Sequence, residues 1–195
     1  QESRGLGDVY KRQGLIGLVV GLIVAKLRAN ALITTLAANM VLAGGILAIT
    51  GGKSAGQLPE SYKWVSQGSI GPVPVLPIVL VLVFTMFHII WTRTSFGRAL
   101  FAVGGNGRAA YIAGIDVNRT KILAYVVSGL LSGVAGWLLA GYMGSVTASF
   151  GTTYEMQVIA AAVIGGVSLT GGRGSMPGVL AGAPVSYTHL RAHET

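Results

Sequence analysis

Cysteine is absent from this chain of 195 residues, and charged side chains make up only 10% of it. The first absence excludes disulfides and thiolate metal sites. The second excludes an ordinary soluble domain, because so few ionised groups cannot solvate the exterior of a chain that is 52% hydrophobic. Acids are scarcer than bases, 6 against 14, for a net charge of +8. Such a surplus can signal nucleic acid, yet these bases are scattered between apolar runs and do not gather on one face interleaved with exposed aromatics. Nucleic acid is therefore not an expected partner. The apolar runs also hold no paired carboxylates, no H-E-x-x-H and no serine with a plausible base, as a membrane-embedded enzyme would need. A channel should show a charge ring or a carbonyl filter, and neither is visible.

What the chain does have is long uncharged stretches. Residues 73–91 read VPVLPIVLVLVFTMFHIIW without a formal charge. As a helix rising ~1.5 Å per residue, this run nearly matches the ~30 Å hydrocarbon core of a bilayer. Residues 30–52 and 122–143 form further spans, while the apolar piece 14–25 is short for one. Gly44-Gly45 weakens the second span and permits a kink. Residues 53–72, with Tyr62, Trp64 and several Gly and Pro residues, read as a loop with an interfacial aromatic anchor. Residues 156–172 are uncharged but interrupted by Gly165-Gly166 and Gly171-Gly172, which makes a full crossing less secure. Thirty glycines outside any G-X-Y repeat suit helices that approach closely in lipid, and Gly129 and Gly133 stand at GxxxG spacing.

Orientation follows from the bases. Arg93, Arg98, Arg108, Arg119 and Lys121 face a single acid, Asp116, in the segment after residue 91, and such an excess marks the cytoplasmic side. Lys26 and Arg28 then also fall inside, two crossings earlier, and residues 53–72 fall outside. Glu155 lies at the outer rim, since a carboxylate at mid-bilayer would cost roughly 2.5–3.5 kcal/mol. Gly174, Gly178 and Gly182 continue the small-residue spacing, but the sequence from residue 184 turns polar and argues against a further helix. Residues 1–13 and 184–195 read as non-native flanks, which leaves 14–183 as the transmembrane domain. His189 and His193 have the i,i+4 spacing of a metal site without a third ligand, so no metal is expected.

Three stretches together resemble the permease subunit of ATP-binding-cassette importers of the ribose, xylose and galactose type. In the first, Leu32, Ile33, Thr35 and Leu36 match F-I-x-T-L with Leu in place of Phe. In the second, Thr94, Gly97, Arg98, Gly104, Gly105, Asn106, Ala109, Ala110, Gly114, Ile115 and Val117 match T-x-x-G-R…G-G-N-x-x-A-A…G-I-x-V. The third runs from Gly151 through Tyr154, Glu155 and the glycines at 165, 166, 171, 172, 174, 178 and 182. Family members are longer at both ends. The resemblance implies an all-α, polytopic helical bundle in the bacterial inner membrane, an incomplete form of the importer permease fold. It implies as partners a cytoplasmic ATPase, a periplasmic sugar-binding protein, a second permease subunit forming a homodimer or heterodimer, and membrane lipid. No cofactor is expected in this chain, because ATP and magnesium belong to the ATPase. Gly52-Lys53-Ser54 is not a phosphate loop, since the required glycine is Leu47. Branched-chain amino acids or nucleosides are alternative solutes.

On this resemblance, residues 104–115 form the core of the contact with the ATPase, carried by Arg98, Gly104, Gly105, Asn106, Arg108, Ala109, Ala110, Gly114 and Ile115. The competing reading of the arginines is that they only set topology. Gly165, Gly166, Ser168, Gly171, Gly172 and Gly174 have two readings, close helix packing or a second contact with the ATPase. For an uncharged sugar, the polar candidates along the path are Thr35, Asn39, Thr85 and His88. Glu155 could meet a base of the binding protein, or simply favour a helix start.

Overall fold

The computed structural model describes residues 2–53, 60–147, 151 and 154–192, and helices dominate them. In chain order the elements are α1 (Glu2–Lys26), α2 (Ala31–Thr50), α3 (Glu60–Gln67), β1 (Ser69–Ile70), β2 (Val73–Pro74), α4 (Val75–Arg93), α5 (Ser95–Gly105), α6 (Gly107–Ile112), α7 (Val117–Met143), α8 (Tyr154–Ile164) and α9 (Met176–Ala192). Three of these, α2, α4 and α7, are long and apolar enough to cross a membrane, with mean hydropathies of 2.0, 2.3 and 1.9. The all-α, polytopic expectation holds. The chain divides into two compact units, one of Gln1–Val83 with Asn118–Phe150, the other of Phe84–Val117 with Gly151–Thr195.

Local chemistry sets the ends of α2. The Asn30 side chain accepts hydrogen bonds from the backbone N–H groups of Leu32 at 3.0 Å and Ile33 at 3.4 Å, and Gly51 closes the helix at φ 60°. Between them Gly44-Gly45 causes no break, contrary to the kink the pair permits. In lipid no water competes for the i→i−4 bonds, so the helix persists through residues that would weaken it in water. None of its residues is buried, and Ile49 is 88% exposed. That is the pattern of a helix whose surroundings are lipid or other apolar helices.

In the first unit α1 meets α7 through glycine. A β-carbon at Gly17 would collide with the Tyr125 carbonyl oxygen. One at Gly129 would lie 2.7 Å from the Gln13 oxygen and 3.2 Å from Gly17 Cα, and one at Gly133 would lie 2.9 Å from Gln13 Cγ. The GxxxG pair of α7 is thus answered by Gln13 and Gly17 on α1, while Gly21 lies against Ile122 and Tyr125, and the backbones come close enough for dispersion and Cα–H···O contacts to hold them. Val20, Val24, Ala25 and Leu138 are among the few buried hydrophobic side chains.

Residues 53–72 are not simply a loop. They contain α3 and, with residues 73–74, a hairpin in which Ser69 pairs with Pro74 and Ile70 with Val73 across Gly71 at φ 63°. The reason lies in tertiary contacts that local composition does not show. The buried Ser66 hydroxyl donates to the Leu138 carbonyl at 2.8 Å, and Gln67 Nε2 donates to the carbonyls of Gly141 at 3.2 Å and Tyr142 at 2.8 Å. The carbonyls of Gly141 and Tyr142 lie in the last turn of α7, where no later N–H of the helix reaches them, and that of Leu138 accepts the serine as a second donor. Ser66→Ala is expected to cost about 1 kcal/mol, read as faster amide exchange across residues 60–67 with exchange across α2 unchanged.

The doubt over residues 156–172 holds, and one further expectation changes. The uncharged segment 156–172 does not form one spanning helix, because α8 stops at Ile164 after 11 residues, about 17 Å of rise against a core of ~30 Å. The helix that polar sequence argues against is present as α9. Pro184 lies inside it and forgoes one backbone bond, which the packing of α9 on α8 offsets.

Candidate functional site

The segment after α4 turns back through a joint made by Trp91, Thr94 and Gly97. Thr94 Oγ1 donates to the Ile90 carbonyl at 2.6 Å and accepts from the Gly97 N–H at 3.3 Å, so one hydroxyl finishes α4 and begins α5. Gly97 is buried, and a β-carbon there would collide with the Trp91 carbonyl oxygen. This is the physical content of T-x-x-G. Sequence reasoning placed Thr94 and Gly97 in the motif but gave them no role. The N-cap spacing of Thr94 was the signal available.

α5 ends at Gly105, and the Asn106 side chain starts α6 by accepting from the N–H groups of Arg108 and Ala109, each at 3.0 Å. α6 lasts 6 residues. It closes when the Gly114 N–H bonds the Tyr111 carbonyl and the Ile115 N–H bonds the Ala110 carbonyl, both at 3.0 Å, with Gly114 at φ 81°. That pairing is a Schellman cap, which needs a left-handed residue and so a glycine. Ala110 is buried, whereas Arg98, Arg108, Tyr111 and Ile112 are exposed, Tyr111 at 73% and Ile112 at 79%. Arg98 Nη1 makes one long contact, 3.5 Å, with the Arg93 carbonyl. Tyr111 and Ile112 were missed by sequence reasoning, though two large apolar side chains in a basic loop were the available signal.

The glycine-rich segment does several different jobs. Gly166 caps α8 at φ 82°, with its N–H on the Val163 carbonyl at 2.9 Å and the Val167 N–H on the Ala162 carbonyl at 3.0 Å. Gly165 packs on α9, where an added β-carbon would lie 2.6 Å from the Gly178 oxygen. The same change at Gly182 would collide with the Ala161 oxygen and lie 2.6 Å from Gly165 N. Ser168 and Arg173 close a turn by a 3.0 Å bond from the Ser168 N–H to the Arg173 carbonyl, and the Ser168 and Thr170 hydroxyls lie 2.8 Å apart. A β-carbon at Gly174 would stand 3.3 Å from Val167 Cγ2. Gly171 and Gly172, both left-handed at φ 91° and 72°, lie against Gly104 and Gly105. Gly165 and Gly182 thus stand in close backbone contact between α8 and α9, and the turn between them sits beside the α5–α6 junction.

The polar candidates for a solute path fall on two helices. Thr35 and Asn39 share one face of α2 at i,i+4 spacing and are exposed, with Thr35 Oγ1 donating to its own helix at Leu32 (3.0 Å). Thr85 and His88 lie at i,i+3 spacing on α4. The His88 ring stacks on Phe84 with centroids 6.3 Å apart, and its buried Nδ1 has no hydrogen-bond partner among the described residues. A cavity of about 560 Å³ between α1 and α2 is lined by Leu15, Val19, Ile23, Ala37, Val41 and neighbours. It includes neither Thr35 nor Asn39. Glu155 is half-buried in the first turn of α8, where a negative charge favours the helix. Among the described residues no group of three His, Asp or Glu could hold a metal. Of the spaced histidine pair, His193 lies outside the described residues.

Membrane-length helices joined by a short, braced, basic helix-turn-helix define a polytopic helical membrane protein. Over residues 13–189 the chain matches the family described as branched-chain amino acid transport system / permease component, and it belongs to that family. It is 42% identical over 164 residues to the L-arabinose transport system permease protein AraH of Escherichia coli strain K12, a match covering 84% of this chain and 50% of the relative. Similar matches are the ribose import permease protein RbsC of Bacillus subtilis strain 168 (38% over 170 residues; 86% and 53%) and the autoinducer 2 import system permease protein LsrC of Klebsiella pneumoniae (41% over 170; 87% and 49%). The chain spans about half the length of the curated relatives it matches. No solved structure matches. Family and spans together make it a multi-pass protein of the bacterial inner membrane.

Proposed function

We propose that this chain forms part of the transmembrane pore of an ATP-binding-cassette importer that carries a sugar delivered by a periplasmic binding protein. A second permease subunit completes the pore, and a cytoplasmic ATPase, which holds the ATP and magnesium, drives alternating access. No covalent chemistry occurs in the chain itself. The observation that carries the reading is the α5–α6 element. It follows α4 and precedes α7 in the chain, is braced internally by its caps, and leaves Arg98, Arg108, Tyr111 and Ile112 exposed. Exposed apolar side chains flanked by arginines suit a partner cleft that offers apolar contact and carboxylates, which guanidinium groups grip in bidentate fashion.

The relatives named for L-arabinose and ribose support a pentose as the solute class. Such a solute needs polar groups without a strong ion site, as Thr35, Asn39, Thr85 and His88 would supply. The test is reconstitution of the complete transporter in proteoliposomes. Uptake of radiolabelled L-arabinose or ribose should require both ATP and the binding protein. Arg108→Glu should weaken binding of the ATPase about tenfold, equivalent to about 1.4 kcal/mol. Unchanged ATPase binding in both Arg108→Glu and Arg98→Glu would remove the loop from the interface, and uptake of leucine without pentose would overturn the solute class.

A further inference from the structure

We propose that Gly171-Gly172 is a positioning seat that ties the α5–α6 loop to the α8–α9 pair, so that displacement of the loop by the ATPase moves both as one body. The inference rests on the reading of the loop as the ATPase contact. Its basis is a contact made by backbone alone between segments far apart in sequence. A β-carbon at Gly104 would lie 2.6 Å from Gly172 N, and one at Gly171 would lie 2.8 Å from Gly104 O. One at Gly172 would collide with Gly105 Cα and stand 2.5 Å from Gly105 N. Side chains absorb displacement by changing rotamer, but a backbone contact has no such slack.

Each partner in the contact is braced on its far side. Gly104 and Gly105 end α5 directly before Asn106, whose side chain holds the first turn of α6 through two bonds of 3.0 Å. Gly171 and Gly172 lie in the turn closed by the Ser168 N–H on the Arg173 carbonyl at 3.0 Å and the Gly171 N–H on the Ser168 carbonyl at 3.1 Å. That turn leads back to α8, which is itself locked on α9 where Gly165 meets Gly178. Movement imposed at Asn106 thus has a short, stiff route into a helix pair that contacts no ATPase in this reading. Packing alone would hold the segments together. A seat of this kind must also keep transport in step with hydrolysis.

The test compares Gly172→Ala with Gly51→Ala in the complete transporter. Both glycines are left-handed, at φ 72° and 60°, but a β-carbon at Gly51 meets nothing within 4 Å among the described residues. The two variants therefore share the backbone strain and differ in the contact. With the ATPase co-purifying at the wild-type ratio, sugar taken up per ATP hydrolysed should fall at least tenfold in Gly172→Ala and less than twofold in Gly51→Ala. A proportional fall of uptake and hydrolysis in Gly172→Ala, with their ratio unchanged, would overturn the proposal. Should Gly172→Ala not assemble, hydrogen exchange on the wild-type complex decides. Amides of 104–106 and 168–173 should change protection in the same nucleotide step, and a change in one segment without the other would overturn it. Failure of the underlying reading is distinct, because the wild-type transporter itself would then show no cross-link between loop and ATPase.

Discussion

Gly182→Leu is expected to unseat α9 from α8 and lower stability by more than about 3 kcal/mol, the upper part of the range for overpacking. The first carbon of the new side chain already collides with the Ala161 carbonyl oxygen and comes within 2.6 Å of Gly165 N and 2.9 Å of its Cα. All three are backbone atoms, so no rotamer change can make room, and the helices must separate. Separation also removes the contact of Gly165 with Gly178, one turn away. For a chain of this size the loss corresponds to a fall of about 10 °C in the thermal midpoint, measurable by size exclusion after heating in detergent. Gly136→Leu provides the comparison. It makes the same change on α7 where an added β-carbon meets nothing within 4 Å among the described residues, so its effect should stay within about 0.5 kcal/mol. Equal midpoints for the two variants would mean that the backbone contact between α8 and α9 does not hold them together.

This contrast between two glycines also shows what was legible in the sequence. The spans could be read because an uncharged run of the right length has few alternatives, and the structure places α2, α4 and α7 where those runs lie. The break between α5 and α6 could be read from Gly104-Gly105-Asn106, where two flexible residues precede a side chain suited to capping. Glycine spacing showed that α7 has a face for close packing, and α1 occupies it. What spacing could not show is the partner. Gly136 and Gly182 look alike in sequence, and only the neighbouring backbone separates an open position from a closed one. The contact of Gly104 with Gly172 is invisible for the same reason, because no side-chain chemistry marks it. α3 was hidden differently. Gly and Pro surround it, and the bonds from Ser66 and Gln67 that hold it end on carbonyls of α7, more than seventy residues on. Polar composition concealed α9, whose packing surface is its glycines and not an apolar stripe.

In the importer proposed above, Gly97→Val should be the change most damaging to transport, reducing uptake more than about a hundredfold, a loss of order 2.7 kcal/mol in the driving step. At residue 97 a β-carbon would collide with the Trp91 carbonyl oxygen and stand 2.6 and 2.7 Å from Trp91 C and Cα. A branched side chain therefore has to open the first turn of α5. Opening it breaks the 3.3 Å bond from the Gly97 N–H to Thr94 Oγ1 and, with it, the geometry by which the same hydroxyl holds the Ile90 carbonyl. Arg98 follows directly, and every residue of the α5–α6 element is carried by the altered direction of α5. The helices on either side need not unfold, so circular dichroism should change little while coupling is lost. Thr94 provides the graded series. Thr94→Ser retains the hydroxyl and should transport within threefold of wild type, and Thr94→Ala should cost about 1 kcal/mol, as loss of a helix cap usually does. Transport by Gly97→Val within threefold of wild type would show that the angle between α4 and α5 is not what presents the loop to its partner. A fall in Thr94→Ser as deep as in Gly97→Val would instead make the threonine methyl group, and not the hydroxyl, the element that sets the joint.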